Sequence, residues 1–189
     1  MGNIIGIIFA ALLTENVVLF KPWGICPFLG VSTKRKNAVG MGLAVTVVIF
    51  IATIVTWLLY NYVLVPLEID YLRILVFILV IASLVQMLEM FLKKTSPSLY
   101  KALGIYLPLI TTNCAVMGVA DASVDLVFVE MLAYALFSGI GFLFVMFVFS
   151  SLRERINKAP VPEGFKGFPI ALIAAAGLAL IFSRLGGIV

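Results

Sequence analysis

The sequence lacks histidine and has few charged residues and few cysteines. Its 189 residues include no His, 2 Cys and only 12% Asp, Glu, Lys and Arg, whereas a soluble domain is about 25% charged. Without His, the chain cannot form a His-ligated zinc or haem site, an HExxH motif or a histidine general base. Two cysteines, Cys26 and Cys114, are too few for a disulfide framework or for a four-thiolate site within one chain.

Apolar residues dominate the composition instead. Hydrophobic residues make up 63% of the chain, and the mean hydropathy is +1.22. A chain this apolar cannot bury its side chains in one soluble core, so the lipid bilayer must act as part of its solvent. The composition excludes a soluble enzyme, a nucleic-acid-binding domain and a disordered segment. We therefore expect an integral membrane protein with no nucleic-acid partner.

Six apolar segments predict an all-α fold with six transmembrane helices. A spanning helix needs about 20 mostly apolar residues, and the runs are too continuous for the strands of an outer-membrane barrel. Glu15 interrupts the first segment and Pro108 the fourth, so helices 1 and 4 are expected to be broken. The segments are 4–20, 38–63, 71–92, 102–120, 126–149 and 168–182.

The basic residues alternate between the two ends of successive segments. By the positive-inside rule this pattern places loops one, three and five in the cytoplasm and both termini on the extracytoplasmic side. We expect a multi-pass protein of the cell (inner) membrane, with only Arg73 and Arg184 on the outer side. The cytoplasmic set comprises Lys34, Arg35, Lys36, Lys93, Lys94, Lys101, Arg153, Arg155, Lys158 and Lys166.

An internal repeat relates the two cysteines. A shift of 88 residues superimposes the pattern C-x-x-x-G-V at Cys26 on the same pattern at Cys114. Each copy heads three segments, and an odd number of spans per copy inverts the second relative to the first. We expect one membrane domain made of two inverted three-helix repeats, 1–92 and 93–189. For Cys26 to match Cys114 in depth, the chain must bend near Lys21 and Pro22.

The matched cysteines have three interpretations. Each could be a small buried hydrophobe, the two could form a disulfide, or they could bind a metal. A matched pair favours a metal site, because packing does not require the same sulfur in both repeats. Thiolates select iron–sulfur clusters, zinc or copper. A binuclear iron–sulfur cluster needs four cysteines, so two would have to come from another chain.

Several stretches resemble a known family. Residues 24–32 and 107–120 are similar to the A subunit of the Rnf ion-translocating electron transport complex. Residues 85–90 and 153–155, with Val161-Pro162, are similar as well. The resemblance covers essentially the whole chain. A close relative is the E subunit of the sodium-translocating NADH:quinone reductase.

This resemblance implies a function and a set of partners. Cys26 and Cys114 would supply two ligands of an intramembrane [2Fe–2S] cluster, and the homologous Rnf E subunit would supply the other two. With the remaining Rnf subunits, the chain would couple electron flow between ferredoxin and NAD(H) to Na⁺ or H⁺ movement. It would be a subunit of a redox-driven ion translocase that is not catalytic alone, and no catalytic residue is assigned to it.

Two carboxylates are candidates for an ion path. Ionisable residues at membrane depth are costly and are functional candidates by default. Glu15 could bind a cation or cap the following helix. Glu89 could lie on an ion path or pair with Lys93 four residues later.

Two other functional classes remain open. Inverted repeats with broken helices also occur in small secondary transporters, although this chain offers few intramembrane polar groups for a substrate. The chain could also be a passive subunit that anchors redox partners.

Overall fold

The computed structural model describes residues 6, 16–95, 107–160 and 162–186, and its regular elements there are helical. The α-helices are α1 (Ile25–Val31), α2 (Arg35–Leu59), α3 (Arg73–Thr95), α4 (Leu107–Thr111), α5 (Cys114–Ala122), α6 (Phe128–Ile156) and α7 (Phe168–Gly186). The helix α2 continues through a π-helical turn, Tyr60–Leu64, into a last turn at Val65–Leu67. Single 3₁₀ turns lie at Asp70–Leu72 and Glu163–Phe165.

Three helical stretches are long and apolar enough to cross a membrane. They are Arg35–Leu67, Asp70–Phe91 and Phe128–Ile156, and they correspond to the second, third and fifth predicted segments. Two apolar helices, Leu109–Ala122 and Phe168–Ser183, are shorter. The all-α membrane architecture is therefore confirmed for the described residues. Most of the first predicted segment, with Glu15, lies outside them.

The chain departs from helical geometry just before each cysteine. Residues 16–24 form turns and irregular backbone, so the expected bend near Lys21 and Pro22 is present. The fourth segment is interrupted at Thr112 and Asn113. The sequence predicts this interruption at Pro108, which instead lies within α4. The Asn113 side chain explains the observed position, because an Asn cap satisfies the first amides of the helix that follows.

Several cations predicted in loops belong to helix ends. Arg153 and Arg155 lie in the last turn of α6, and Lys93 and Lys94 in the last turn of α3. Cations are favourable near a helix C-terminus, where the last carbonyls carry partial negative charge. The helices therefore extend beyond the apolar runs that predicted them.

The centre of the molecule is the contact between α2 and α6. A Cβ atom placed on Gly139 would lie 2.7 Å from Cγ2 and 3.0 Å from Cα of Thr46. A Cβ on Gly42 would lie 3.1 Å from Leu143 Cγ. The Thr46 hydroxyl lies 2.9 Å from the carbonyl oxygen of Gly139 and 2.7 Å from that of Gly42. Small residues let the two backbones approach, and the hydroxyl joins them, as is typical of membrane helices.

Replacing Gly139 by Ala should destabilise the fold. The added methyl group would overlap Thr46, whose Cα cannot move without moving α2. Overpacking of this kind costs about 1–3 kcal/mol. The control is Gly177→Ala in α7, where the new methyl meets nothing within 4 Å. Thermal unfolding in detergent should show a lower midpoint for Gly139→Ala only. Equal midpoints for the two variants would contradict this account of the helix contact.

Candidate functional site

Both cysteines lie at the start of short helices. Cys26 is in the first turn of α1, and Cys114 is the first residue of α5. The side-chain oxygen of Asn113 accepts a hydrogen bond from the Ala115 amide at 3.1 Å, which caps α5. Gly24 precedes α1 with a left-handed φ of 83°, a conformation that favours glycine. Local sequence therefore fixes where each helix begins. Each thiol lies next to the non-helical residues that precede its helix.

One hydrogen bond joins the two cysteine segments. The Gly24 amide donates to the Cys114 sulfur at 2.9 Å. There is no room for a side chain on Gly24, because a Cβ would lie 3.0 Å from Phe142 Cε2 and 3.1 Å from both Ala115 Cβ and Asn113 Oδ1. The sulfur of Cys114 is thus held against backbone only two residues before Cys26. The two segments paired by the repeat are neighbours in space.

Trp23 packs the first segment onto the helix of the second. A Cβ on Gly118 would overlap Cε3 of Trp23, so the indole ring lies directly on the backbone of α5. The Trp23 amide donates to the Val17 carbonyl at 2.9 Å, and Lys21 Nζ lies 5.2 Å from the ring centroid. The packing of Trp23 on Gly118 holds the first segment against α5 and so supports the approach of Gly24 to Cys114.

The structure places both cysteines at the surface of the chain. Both are free thiols. They are neither buried hydrophobes nor joined in a disulfide. Across the described ranges, no group of three or more His, Cys, Asp and Glu residues could hold a metal. The donors available here are two surface thiols, and a four-ligand site would need further ligands from another chain.

Of the two candidate ion-path residues, the structure describes only Glu89. Glu15 lies outside the described residues. Glu89 is half-buried in α3, four residues before Lys93. That spacing keeps both the pair with Lys93 and a role in an ion path open.

Sequence reasoning misses the contacts that three residues make at this site. Gly24, Gly118 and Arg153 each act through a contact with a distant part of the chain. Gly118 is the glycine of the repeated C-x-x-x-G-V pattern and Gly24 begins a stretch that resembles the family, but neither signal reveals what the glycine contacts. In the sequence Arg153 is a topology signal within a stretch that resembles the family, whereas in the structure it is buried, with 8% of its surface exposed.

Replacing Gly118 by Ala should displace Trp23. The new methyl would overlap the indole ring, and a rigid aromatic side chain can relieve that overlap only by moving away. The chain has 2 tryptophans, so a Trp57→Phe background reports Trp23 fluorescence alone. We expect a shifted emission maximum and a loss of about 1–3 kcal/mol in stability. Gly40→Ala is the control, because its methyl meets nothing within 4 Å. An unchanged Trp23 spectrum in Gly118→Ala would refute the packing described here.

Comparison with known proteins identifies the family. The family model described as "Rnf-Nqr subunit, membrane protein" matches residues 4–189. The A subunit of the ion-translocating oxidoreductase complex from Syntrophotalea carbinolica is 49% identical over 191 residues, covering 100% of this chain and 99% of the relative. The protein of the same name from Azoarcus sp. strain BH72 is 50% identical over 190 residues, covering 100% and 98%. The one from Vibrio vulnificus strain YJ016 is 48% identical over 191 residues, covering 100% of both. The resemblance noted in the sequence is confirmed: the chain belongs to the Rnf-Nqr family of membrane subunits.

Proposed function

We propose that the chain is a membrane subunit of a redox-driven, ion-translocating oxidoreductase complex and is not catalytic alone. In this proposal Cys26 and Cys114 supply two ligands of an intramembrane [2Fe–2S] cluster. A homologous E-type subunit supplies the other two. The observation that carries the proposal is the hydrogen bond from the Gly24 amide to the Cys114 sulfur, which brings the two cysteine segments together.

The donor set fits half of such a cluster. Thiolates are the ligands of iron–sulfur clusters, and a binuclear cluster takes four of them. Both thiols are exposed, so ligands from a second chain can approach them. A bound cluster would supply a one-electron redox centre inside a hydrocarbon layer about 30 Å thick, dividing one long transfer into two shorter ones.

The Cys114 sulfur lies among backbone hydrogen-bond donors. The Gly24 amide donates to it directly. Cys114 is also the first residue of α5, where the free amides of a helix carry partial positive charge. Hydrogen bonds to ligand sulfurs are one of the factors that set cluster potentials. Gly24 would therefore affect the redox potential as well as the geometry of the site.

Two ion pairs support the proposed topology. Arg35 Nε lies 2.7 Å from Glu154 Oε2, so the start of α2 and the end of α6 lie on the same side. Arg73 Nε lies 3.0 Å from Asp121 Oδ1, which joins the start of α3 to the end of α5. The first pair lies among the residues predicted to be cytoplasmic, and the second among those predicted to be outside. We propose two inverted three-helix repeats, 1–92 and 93–189, with both termini extracytoplasmic in the cell (inner) membrane.

The cysteine variants test the redox function. Cys26→Ser and Cys114→Ser, each expressed with the whole complex, should lose the cluster, because a serine hydroxyl is a poor substitute for a thiolate ligand. Iron content and the EPR spectrum of the reduced complex measure the loss. Met117→Leu in α5 is a volume-conserving control.

Three results would contradict this assignment. Unchanged iron content in both serine variants would refute the cluster. Electron transfer that persists without both thiols would favour a passive anchoring role. Substrate transport by the isolated chain in liposomes would favour a secondary transporter.

We further propose that Glu89, together with Glu15, contributes to Na⁺ or H⁺ movement coupled to ferredoxin and NAD(H) chemistry. Glu89 is half-buried in a helix long enough to cross the membrane, where a carboxylate is costly. Glu89→Gln should lower ion uptake per electron transferred and leave the cluster EPR signal unchanged. The control is Lys93→Gln. Equal effects of the two variants would indicate that Glu89 serves only to pair with Lys93.

A further inference from the structure

Arg153 is a buried charge that the proposed function leaves unexplained. It lies in the last turn of α6 and is 8% exposed. Among the charged residues whose burial the structure describes, it is the one that is buried. A guanidinium in an apolar helix is costly unless backbone or polar groups accept its hydrogen bonds. Its partners therefore indicate why it is placed there.

Both partners of Arg153 lie at the end of the helix that carries Cys26. Arg153 Nη1 donates to the Leu29 carbonyl oxygen and, at 2.9 Å, to the Ser32 hydroxyl oxygen. Leu29 is in the last turn of α1, and Ser32 is the first residue after it. A helix leaves its last carbonyls unsatisfied, and a cation there is favourable. Arg153 thus closes the end of α1 opposite to Cys26.

Contacts with α6 extend along the whole length of α1. Phe142 limits the space at Gly24, before the helix begins. Phe149 stacks on Phe28 in its middle, with ring centroids 4.1 Å apart and an interplanar angle of 21°. Arg153 binds its end. Ring contacts tolerate sliding, whereas hydrogen bonds depend steeply on distance and angle. Of these three contacts, the one made by Arg153 fixes the axial position of α1 relative to α6.

We propose that Arg153 is a positioning residue for the Cys26 thiolate. The inference rests on the proposed cluster-binding function. The seven residues of α1 span about 10 Å at 1.5 Å per residue, and so short a helix moves as one unit. A shift at the Leu29 carbonyl is therefore transmitted to Cys26, and through Gly24 to the hydrogen bond on the Cys114 sulfur. Ligand groups must be held to within about 0.5 Å of their working geometry.

The test uses Arg153→Met in the intact complex. Methionine keeps an apolar chain and removes both hydrogen bonds. Residues that orient metal ligands typically contribute about 10- to 100-fold to metal affinity. We expect a loss of that size in cluster retention against an iron chelator, an altered EPR line shape and a shifted reduction potential. Arg153→Lys should recover part of each, because Lys keeps the charge but lacks the planar fork of donors. Arg155→Met, on the exposed side of the same turn, is the control and should change none of them.

The outcomes distinguish this inference from the function on which it rests. If Cys26→Ser and Cys114→Ser keep their iron, the proposed function fails and takes the role of Arg153 with it. The two serine variants can lose iron while Arg153→Met keeps the cluster retention, EPR spectrum and reduction potential of the unaltered complex. In that case only the role of Arg153 is overturned. Should Arg153→Met fail to assemble, Arg153→Lys and Ser32→Ala replace it. If Arg153→Lys and Ser32→Ala both keep the EPR spectrum and reduction potential of the unaltered complex, the proposal is overturned as well.

Discussion

The hydrogen bond between the Gly24 amide and the Cys114 sulfur is the constraint on which the rest of the structure depends. It joins groups 90 residues apart in sequence. For one to reach the other, the chain must leave helical geometry before α1 and again before α5, so that both short helices start together. Irregular backbone at membrane depth is tolerated only where protein or a cavity surrounds it. The packing of Trp23 on Gly118 and of Phe142 beside Gly24 provides that cover.

The bilayer makes much of the fold predictable. Because only helices and closed barrels satisfy their backbones in lipid, long apolar runs identify 38–63, 71–92 and 126–149 as parts of spanning helices. Turn-forming residues mark the bend near Pro22 and the interruption in the fourth segment, although that interruption lies at Thr112 and Asn113 rather than at Pro108. The repeat pattern predicts that the two cysteine segments meet. Each of these signals is local or periodic.

The contacts that complete the site could not be predicted in this way. An arginine at the end of an apolar run looks the same in sequence whether it faces water or protein, so the sequence alone assigns Arg153 to a loop. Its burial depends on α1 lying along α6, which is a tertiary fact. The same holds for Gly118, whose missing side chain matters only because Trp23 lies on it. Sequence reasoning locates the elements and the donor atoms, and long-range packing decides how accurately those atoms are held.

The two cysteines are therefore held by different means. Cys114 begins a helix that its own neighbour, Asn113, caps within the same segment. Cys26 lies on a shorter helix that packs against α2, α4 and α7 and that Phe149 and Arg153 of α6 also contact. Arg153 is adjacent to Glu154, which pairs with Arg35 at the start of α2. This end of α6 is therefore linked to Cys26 through α1, and to the Cys114 sulfur through the Gly24 amide. The position of Cys26 thus depends on packing between elements that are distant in sequence.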